Sequence, residues 1–207
     1  MNKSTVKEIK ERFDNDVERF SNLDTGQVAT IDAKVSLELL TETSKRITPN
    51  AKNLLDIGCG AGNYSLKMLT KIADLNCTLV DLSEPMLDKA KERVSAKTKN
   101  KVETIQGDIR EVGLKENSFD IILAGAVLHH LRDDKDWETT FDKLYSLLKP
   151  GGCLMISDLI TQETNAVNEY TWERYGDYLE SIDGKEYRKK VLDYVEKEDS
   201  PRSMTYQ

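Results

Sequence analysis

The chain is short of the residues that staple a fold, anchor it or hold a metal. Its 207 residues include three cysteines, Cys59, Cys77 and Cys153. They are isolated, odd in number and show no C-x-x-C spacing, which argues against a disulfide framework or a zinc site and for a reducing, cytoplasmic setting. Histidine occurs only at 129 and 130, and no metal-ligand cluster is visible in the sequence. No apolar run approaches the roughly 20 residues that span a membrane. The polar stretch 1–12 has no apolar signal-peptide region. Cations are outnumbered, 30 Lys+Arg against 37 Asp+Glu, for a net charge of −7. That disfavours nonspecific binding to nucleic acid or anionic lipid. With 38% hydrophobic and 32% charged residues, the composition is ordinary for a globular chain, long enough for one domain with a sizeable core.

What is present centres on residues 54–63. Leu54, Leu55 and Ile57 read as a buried strand ending beside Asp56. Glycines follow at 58, 60 and 62, then a helical pattern with Leu66, Leu69 and Ile72. Glycines let the backbone turn tightly and let a ligand approach closely, and the next helix N-terminus offers unpaired N–H groups. The G-x-G-x-G spacing departs from the G-x-G-x-x-G of dinucleotide sites, where a pyrophosphate rests on the helix N-terminus. Asp56 suits an ammonium group and repels phosphate. A cofactor with an amino-acid end therefore fits better, with a purely structural turn as the alternative. A second strand, 75–81, ends in Asp81, which is placed to accept both ribose hydroxyls.

These features resemble the class I S-adenosylmethionine (SAM)-dependent methyltransferases. The first motif is similar to Leu55-Asp56-Ile57-Gly58-Cys59-Gly60-Ala61-Gly62, the ribose acid to Asp81, and the adenine-side acid to Asp108 in Gln106-Gly107-Asp108-Ile109. Phe119-Asp120-Ile121-Ile122-Leu123-Ala124 and Leu147-Leu148-Lys149-Pro150-Gly151-Gly152 match later elements in family order, so the resemblance spans roughly 50–160. It implies an α/β Rossmann-like parallel sheet ordered 3-2-1-4-5 with helices on both faces. It also implies methyl transfer from SAM, with S-adenosyl-L-homocysteine (SAH) as product. The implied cofactor contacts are Asp56, Gly58, Cys59, Gly60 and Gly62 to the methionine part and Asp81 to the ribose. Leu82 and Met86 would flank the adenine, unless Met86 faces the core. Asp108 with Ile109 would hold the adenine edge, and Ala124 ends the fourth motif in the same set. His129 and His130 follow the fourth strand, at the carboxyl edge where open α/β sheets bind ligands. One is a candidate base or substrate-orienting group, or else pocket wall, with His130 preferred for facing the cofactor.

The flanks are less determined. Residues 4–19 read as one amphipathic helix with Val6, Ile9, Phe13 and Val17 on a stripe. The turn-rich 20–27 follows. In the resembling family such a segment forms a lid, for which Phe13, Phe20, Asp14, Asp16 and Asp24 are candidates; a solvated arm is the alternative. Asp32 is the expected cap of a helix over 33–47, Ser83 of the helix after the second strand, and Asp136 of the helix carrying Trp137, Phe141 and Leu144. The basic run 89–101 reads as a solvated face rather than an RNA contact. A fifth strand is expected over 153–158. Two helical patterns over 163–197 meet near 181–184. Their Tyr170, Trp172, Tyr175 and Tyr178 suit either a substrate cover or packing on the sheet, and Arg174 and Arg188 are candidates to hold an anionic substrate. No strand pattern follows Asp158, so the family's C-terminal β6–β7 hairpin is expected to be missing through truncation, with Ser200 onward opening a further helix. The expected division is 1–48 (N-terminal helices and lid), 49–160 (SAM-binding core) and 161–207 (helical cover), all one structural domain. The expected acceptor is a small molecule, with no bulk nucleic acid, no membrane partner and an oligomeric state left open, a homodimer included. A synthase of carboxy-SAM using Arg188, or a silent SAM-binding subunit, is the alternative. A nicotinamide reductase is disfavoured by the glycine spacing and by the absence of a Y-x-x-x-K pair.

Overall fold

A computed structural model describes residues 3–22 and 27–203. Asp24 of the expected lid set lies outside the described residues. Five parallel strands form the main sheet in the order β3-β2-β1-β4-β5. They are β1 (Asn53–Ile57), β2 (Asn76–Asp81), β3 (Val102–Gln106), β4 (Phe119–Gly125) and β5 (Leu148–Ser157). Strand β1 pairs on both edges, with Leu55 opposite Thr78 of β2 and Ile122 of β4. A central parallel strand is covered on both faces, which is why its sequence is almost continuously apolar. Side chains alternate across the sheet. Leu54, Leu79, Ile121 and Leu123 pack on one face, and Leu55, Ile57, Val80, Ile122 and Ala124 on the other. Burial of each larger aliphatic contributes about 1.5–3 kcal/mol.

Helices α3 (Ala33–Ile47), α4 (Asn63–Lys71) and α5 (Glu84–Ser95) cover the first face, and α6 (Asp134–Leu147) covers the second. Helix α5 starts where expected, the Ser83 hydroxyl accepting from the Met86 N–H at 3.3 Å. Met86 itself is buried in the core.

Several boundaries differ from the sequence expectation. The stretch 4–19 is two helices, α1 (Val6–Asp14) and α2 (Val17–Ser21). Asn15 ends α1, its side-chain amide donating to the Glu11 carbonyl at 2.7 Å; short polar side chains compete in this way with helix continuation. Asp32 sits in the left-handed region (φ 52°) and makes no side-chain cap bond. Asp133, not Asp136, caps α6, accepting from the Asp136 N–H at 2.8 Å. The Asp136 carboxylate is instead taken by Arg110 at 2.6 Å and the Arg132 N–H at 3.1 Å. Strand β5 begins at Leu148, opposite Phe119, and its register shifts before Cys153 meets Ile121, where Pro150-Gly151-Gly152 interrupts regular pairing.

The last helix, α7 (Asn165–Glu198), breaks at Asp183 and Gly184, which leave helical geometry. The break falls within the expected 181–184. Two-residue strands β6 (Ile160–Thr161) and β7 (Arg202–Ser203) pair in parallel. The described residues after Ser200 are therefore extended rather than helical, and among the described residues no hairpin continues the main sheet. Tyr175 and Tyr178 pack with Leu179, Val191 and Val195. Their hydroxyls donate to the Ala29 carbonyl at 3.0 Å and the Val28 carbonyl at 2.8 Å. No described helix is long and apolar enough to cross a membrane.

Candidate functional site

The sheet order reverses between β1 and β4, so their outgoing loops diverge and leave a crevice at the carboxyl edge. A cleft of about 60 Å³ lies there, lined by Gly58, Asp81, Leu82, Asp108, Ile109 and His130, among others. The glycine loop is positioned by two backbone contacts to β2: Cys59 N–H donates to the Val80 carbonyl at 3.1 Å, and Gly60 N–H to Asp81 Oδ2 at 2.8 Å. Gly58 must be glycine: its φ is +59°, and a Cβ would stand 2.4 Å from Val127 Cγ2.

Asp81 is held from both sides, Oδ1 accepting from Ser83 N–H at 2.9 Å. Burial, opposed by the Ser83, Gly60 and Leu82 N–H groups and reinforced by the nearby Asp14 charge, raises its pKa. Asp108 is clasped by Arg110, with Nε to Oδ1 at 3.0 Å and Nη2 to Oδ2 at 2.6 Å. Burial raises the Asp108 pKa, but the Arg110 hydrogen bonds and charge outweigh it and the net shift is downward.

Other expected site residues stand behind the cleft wall. Asp56 is buried and its Oδ2 accepts from Ser65 N–H at 3.1 Å and Ser65 Oγ at 2.6 Å. Burial pushes its pKa up to about 7, the Ser65 bonds only partly opposing it. Ala124 and Met86 are core residues, and Gly62 is the left-handed residue that opens α4. Cys59 is buried, its thiol pKa raised first by burial and then by Asp81 and Asp56.

The two histidines part company. The 3₁₀ turn Leu128–His130 turns His130 into the cleft wall and His129 inward. His129 Nδ1 bonds Asp158 Oδ1, and Asp158 is itself fixed by the Val127 and Leu128 N–H groups at 3.1 and 2.7 Å. Burial lowers the pKa of His129 but the Asp158 bond and charge outweigh it, raising it overall. His130 is driven down to about 3 by burial, with His129 and Arg12 adding to the effect.

Helix α1 meets the cleft wall at His130. Phe13 meets the His130 ring edge-on at 6.2 Å and Phe20 at 5.4 Å, and the Phe20 carbonyl accepts from Asn63 Nδ2 at 2.8 Å. Arg12 clamps Glu198 of α7 through Nε at 2.9 Å to both carboxylate oxygens and Nη2 at 2.5 Å. Asp14 bonds Lys10 at 2.6 Å through Oδ2, while its Oδ1 is buried with no hydrogen-bond partner among the described residues. Arg174 is committed to Asp177, and Arg188 to Asp177 and Glu180. The sequence reading missed Arg110, Val127, Leu128, Leu131 and Asp158. Only the position of Arg110 two residues after Asp108 signalled any of these in advance.

Comparisons with known proteins agree with this geometry. A family model described as a methyltransferase domain matches residues 54–152. A malonyl-[acyl-carrier protein] O-methyltransferase of Priestia megaterium is 28% identical over 182 residues, covering 86% of this chain and 62% of the relative. A carboxy-S-adenosyl-L-methionine synthase of Vibrio atlanticus is 31% identical over 138 residues, covering 65% of this chain and 56% of the relative. The chain thus spans less than two thirds of the length of both. The N-methyltransferase NodS of Bradyrhizobium japonicum, solved with SAH, shares the fold at a TM-score of 0.58 and 23% identity, covering 73% of this chain and 71% of that one. Residues 54–152 therefore match a methyltransferase domain, and the sheet around them has the fold of the SAH-bound N-methyltransferase.

Proposed function

We propose that the protein transfers a methyl group from SAM to a small-molecule acceptor. The observation that carries this reading is the Asp81 carboxylate, buried at the switch point and cross-tied to the glycine loop through Gly60 N–H. Its two oxygens offer about four acceptor sites and are faced by the Gly60, Ser83 and Leu82 N–H groups, which leaves acceptor capacity for a ribose hydroxyl. The donor set fits SAM and not a pyrophosphate. Asp81 and Asp108 line the cleft with Arg110, which is spent on Asp108 and Asp136, and Asp14 flanks Asp81, so the unpaired acids favour hydroxyls and cations. The orphaned Asp14 Oδ1 supplies an acceptor that a cationic, hydroxyl-bearing ligand satisfies.

In this reading Asp81 holds the ribose. Asp108 retains acceptor capacity beyond its Arg110 contacts for the adenine amine, and Leu82 and Ile109 are the apolar walls of the base. Asp56 does not reach the ligand; it anchors the glycine loop to α4 through Ser65. Bound SAM supplies an electrophilic methyl on a good leaving group. The chain's own residues then need mainly to align the acceptor and exclude water. His130 acts as a neutral wall and not as a base, and Phe13 shields it. The three cysteines are free thiols, which accords with a cytoplasmic protein.

The carboxy-SAM synthase reading relied on Arg188 as an anion holder. Its guanidinium is spent on Asp177 and Glu180 and packs within 2.7 Å of where a Gly176 Cβ would lie, which favours methyl transfer. Calorimetry with SAM, SAH and NADH tests the cofactor. Micromolar binding of both adenosyl ligands with none of NADH is expected, and a screen of small hydroxyl, amine and carboxylate acceptors for SAH release then tests transfer. Binding of NADH alone overturns the reading.

A further inference from the structure

We propose that His129, His130 and Asp199 form a three-ligand site for a divalent transition metal, zinc by the chemistry of the donors. The inference stands apart from the methyl-transfer reading. Asp199 Oδ1 lies 3.5 Å from His129 Nε2 and 3.4 Å from His130 Nδ1, and the three donor atoms lie within 4.8 Å of one another. Zinc bonds of about 2.0–2.1 Å in tetrahedral geometry place neighbouring ligand atoms roughly 3.3–3.4 Å apart. The two measured edges match that spacing. They do not make a hydrogen bond for His130, whose Nδ1 is buried with no hydrogen-bond partner among the described residues. A buried imidazole nitrogen left unpaired costs free energy, and a metal ion removes that cost.

The surroundings are those of a built metal site. His129 is held through Nδ1 by Asp158, which fixes the ring and leaves Nε2 as the donor toward Asp199. Carboxylate–histidine pairs of this kind orient metal-binding imidazoles. Asp199 is fixed at the end of α7: its N–H donates to the Val195 carbonyl at 2.9 Å, and the next N–H, of Ser200, donates to the His129 carbonyl at 2.6 Å. Lys3 Nζ bonds the Asp199 carbonyl. Arg12, also beside the cluster, has its charge matched by Glu198, and Arg132 is held on the Glu198 carbonyl. Asp158 and Asp199 bring two carboxylates to the histidine pair. Three protein ligands leave a fourth position for water, the pattern of open rather than closed structural zinc sites.

The test is a titration of the chelator-stripped full chain with Co²⁺, followed by Zn²⁺ competition. We expect one Co²⁺ per chain at low micromolar concentration, with the visible ligand-field bands of a tetrahedral nitrogen–oxygen site, abolished by Zn²⁺. His130→Ala and Asp199→Asn should each weaken binding at least 100-fold, and Asp158→Asn by about 10- to 100-fold through the lost support of His129. Circular dichroism identifies any variant that fails to fold; the remaining variants and the wild-type stoichiometry then decide. No stoichiometric Co²⁺ on the folded wild type overturns the proposal. So do thiolate charge-transfer bands, or affinity unchanged in the folded variants.

Discussion

Asp81 and Gly58 show how single positions divide the work of the cleft. Asp81 has the lone pairs for a ribose, so Asp81→Ala should lower SAM affinity by about 1–3 kcal/mol, roughly 5- to 150-fold. Calorimetry reads this directly, and unchanged affinity removes Asp81 from the site. Gly58 works through backbone geometry. In Gly58→Ala the new methyl meets both the left-handed backbone and the Val127 side chain, and the fold should lose about 1–3 kcal/mol. Adding Val127→Ala should recover only part of that, because a Gly58 Cβ still lies 2.7 Å from Val127 Cβ. Full recovery in urea melts would show that the backbone strain is negligible.

At the scale of elements, α1 is tied to the rest of the fold chiefly by its side chains. Its N-terminus is closed by a capping box between Thr5 and Glu8, and its packing face presents Ile9 and Phe13. What joins it to α7 is the fork of Arg12 on Glu198, stacked over the Phe13 ring at 4.2 Å. Glu198 is buried and Arg12 partly exposed, so the pair is worth less than a fully buried one. Arg12→Ala should destabilise the protein by about 2 kcal/mol, mostly by leaving Glu198 uncompensated. Arg12→Lys should recover less than half of this, since a point charge cannot reproduce the planar fork. Thermal melts of the two variants check the ordering; equal stability of Lys and wild type would reduce the contact to simple charge pairing.

For the whole molecule, the buried acid at the sheet centre sets a pH dependence. Asp56 has a folded pKa of about 7 because of burial, against an ordinary carboxylate value near 3.9. The folded state therefore binds this proton more tightly than the unfolded chain. The contribution of Asp56 to stability is fully present below about pH 4 and is lost as pH rises to about 7, by on the order of 4 kcal/mol. Asp56→Asn keeps the shape and the oxygen that accepts from Ser65. It should melt higher than wild type at pH 8 and show a smaller fall in stability between pH 5 and 7. Parallel pH–stability curves for the two proteins would mean that Asp56 does not titrate in that range.

Much of this was legible in the sequence because it depends on local pattern. An apolar strand beside glycines at alternate positions, with an acid ending the next strand, specifies a strand–loop–helix at a sheet edge wherever it folds; the 3-2-1-4-5 order followed from the family resemblance. Asp81, Leu82, Asp108 and Ile109 were readable as one set because each stands at the carboxyl end of its strand or within three residues of it. Other features arise between segments far apart in the chain. The sequence does not show that Asp56 turns to Ser65 rather than outward, that Asp136 serves Arg110 and so leaves the cap to Asp133, or that Arg188 is already paired. Still less does it show that Asp199, at the end of the last long helix, meets the two histidines 70 residues earlier. Propensity and periodicity act over a few residues, whereas the partner of a buried charge is chosen by whatever packing brings within hydrogen-bond reach. The sequence alone determined the sheet and the chemical character of its edge; the tertiary structure decided which polar groups face the cleft and which hold it together.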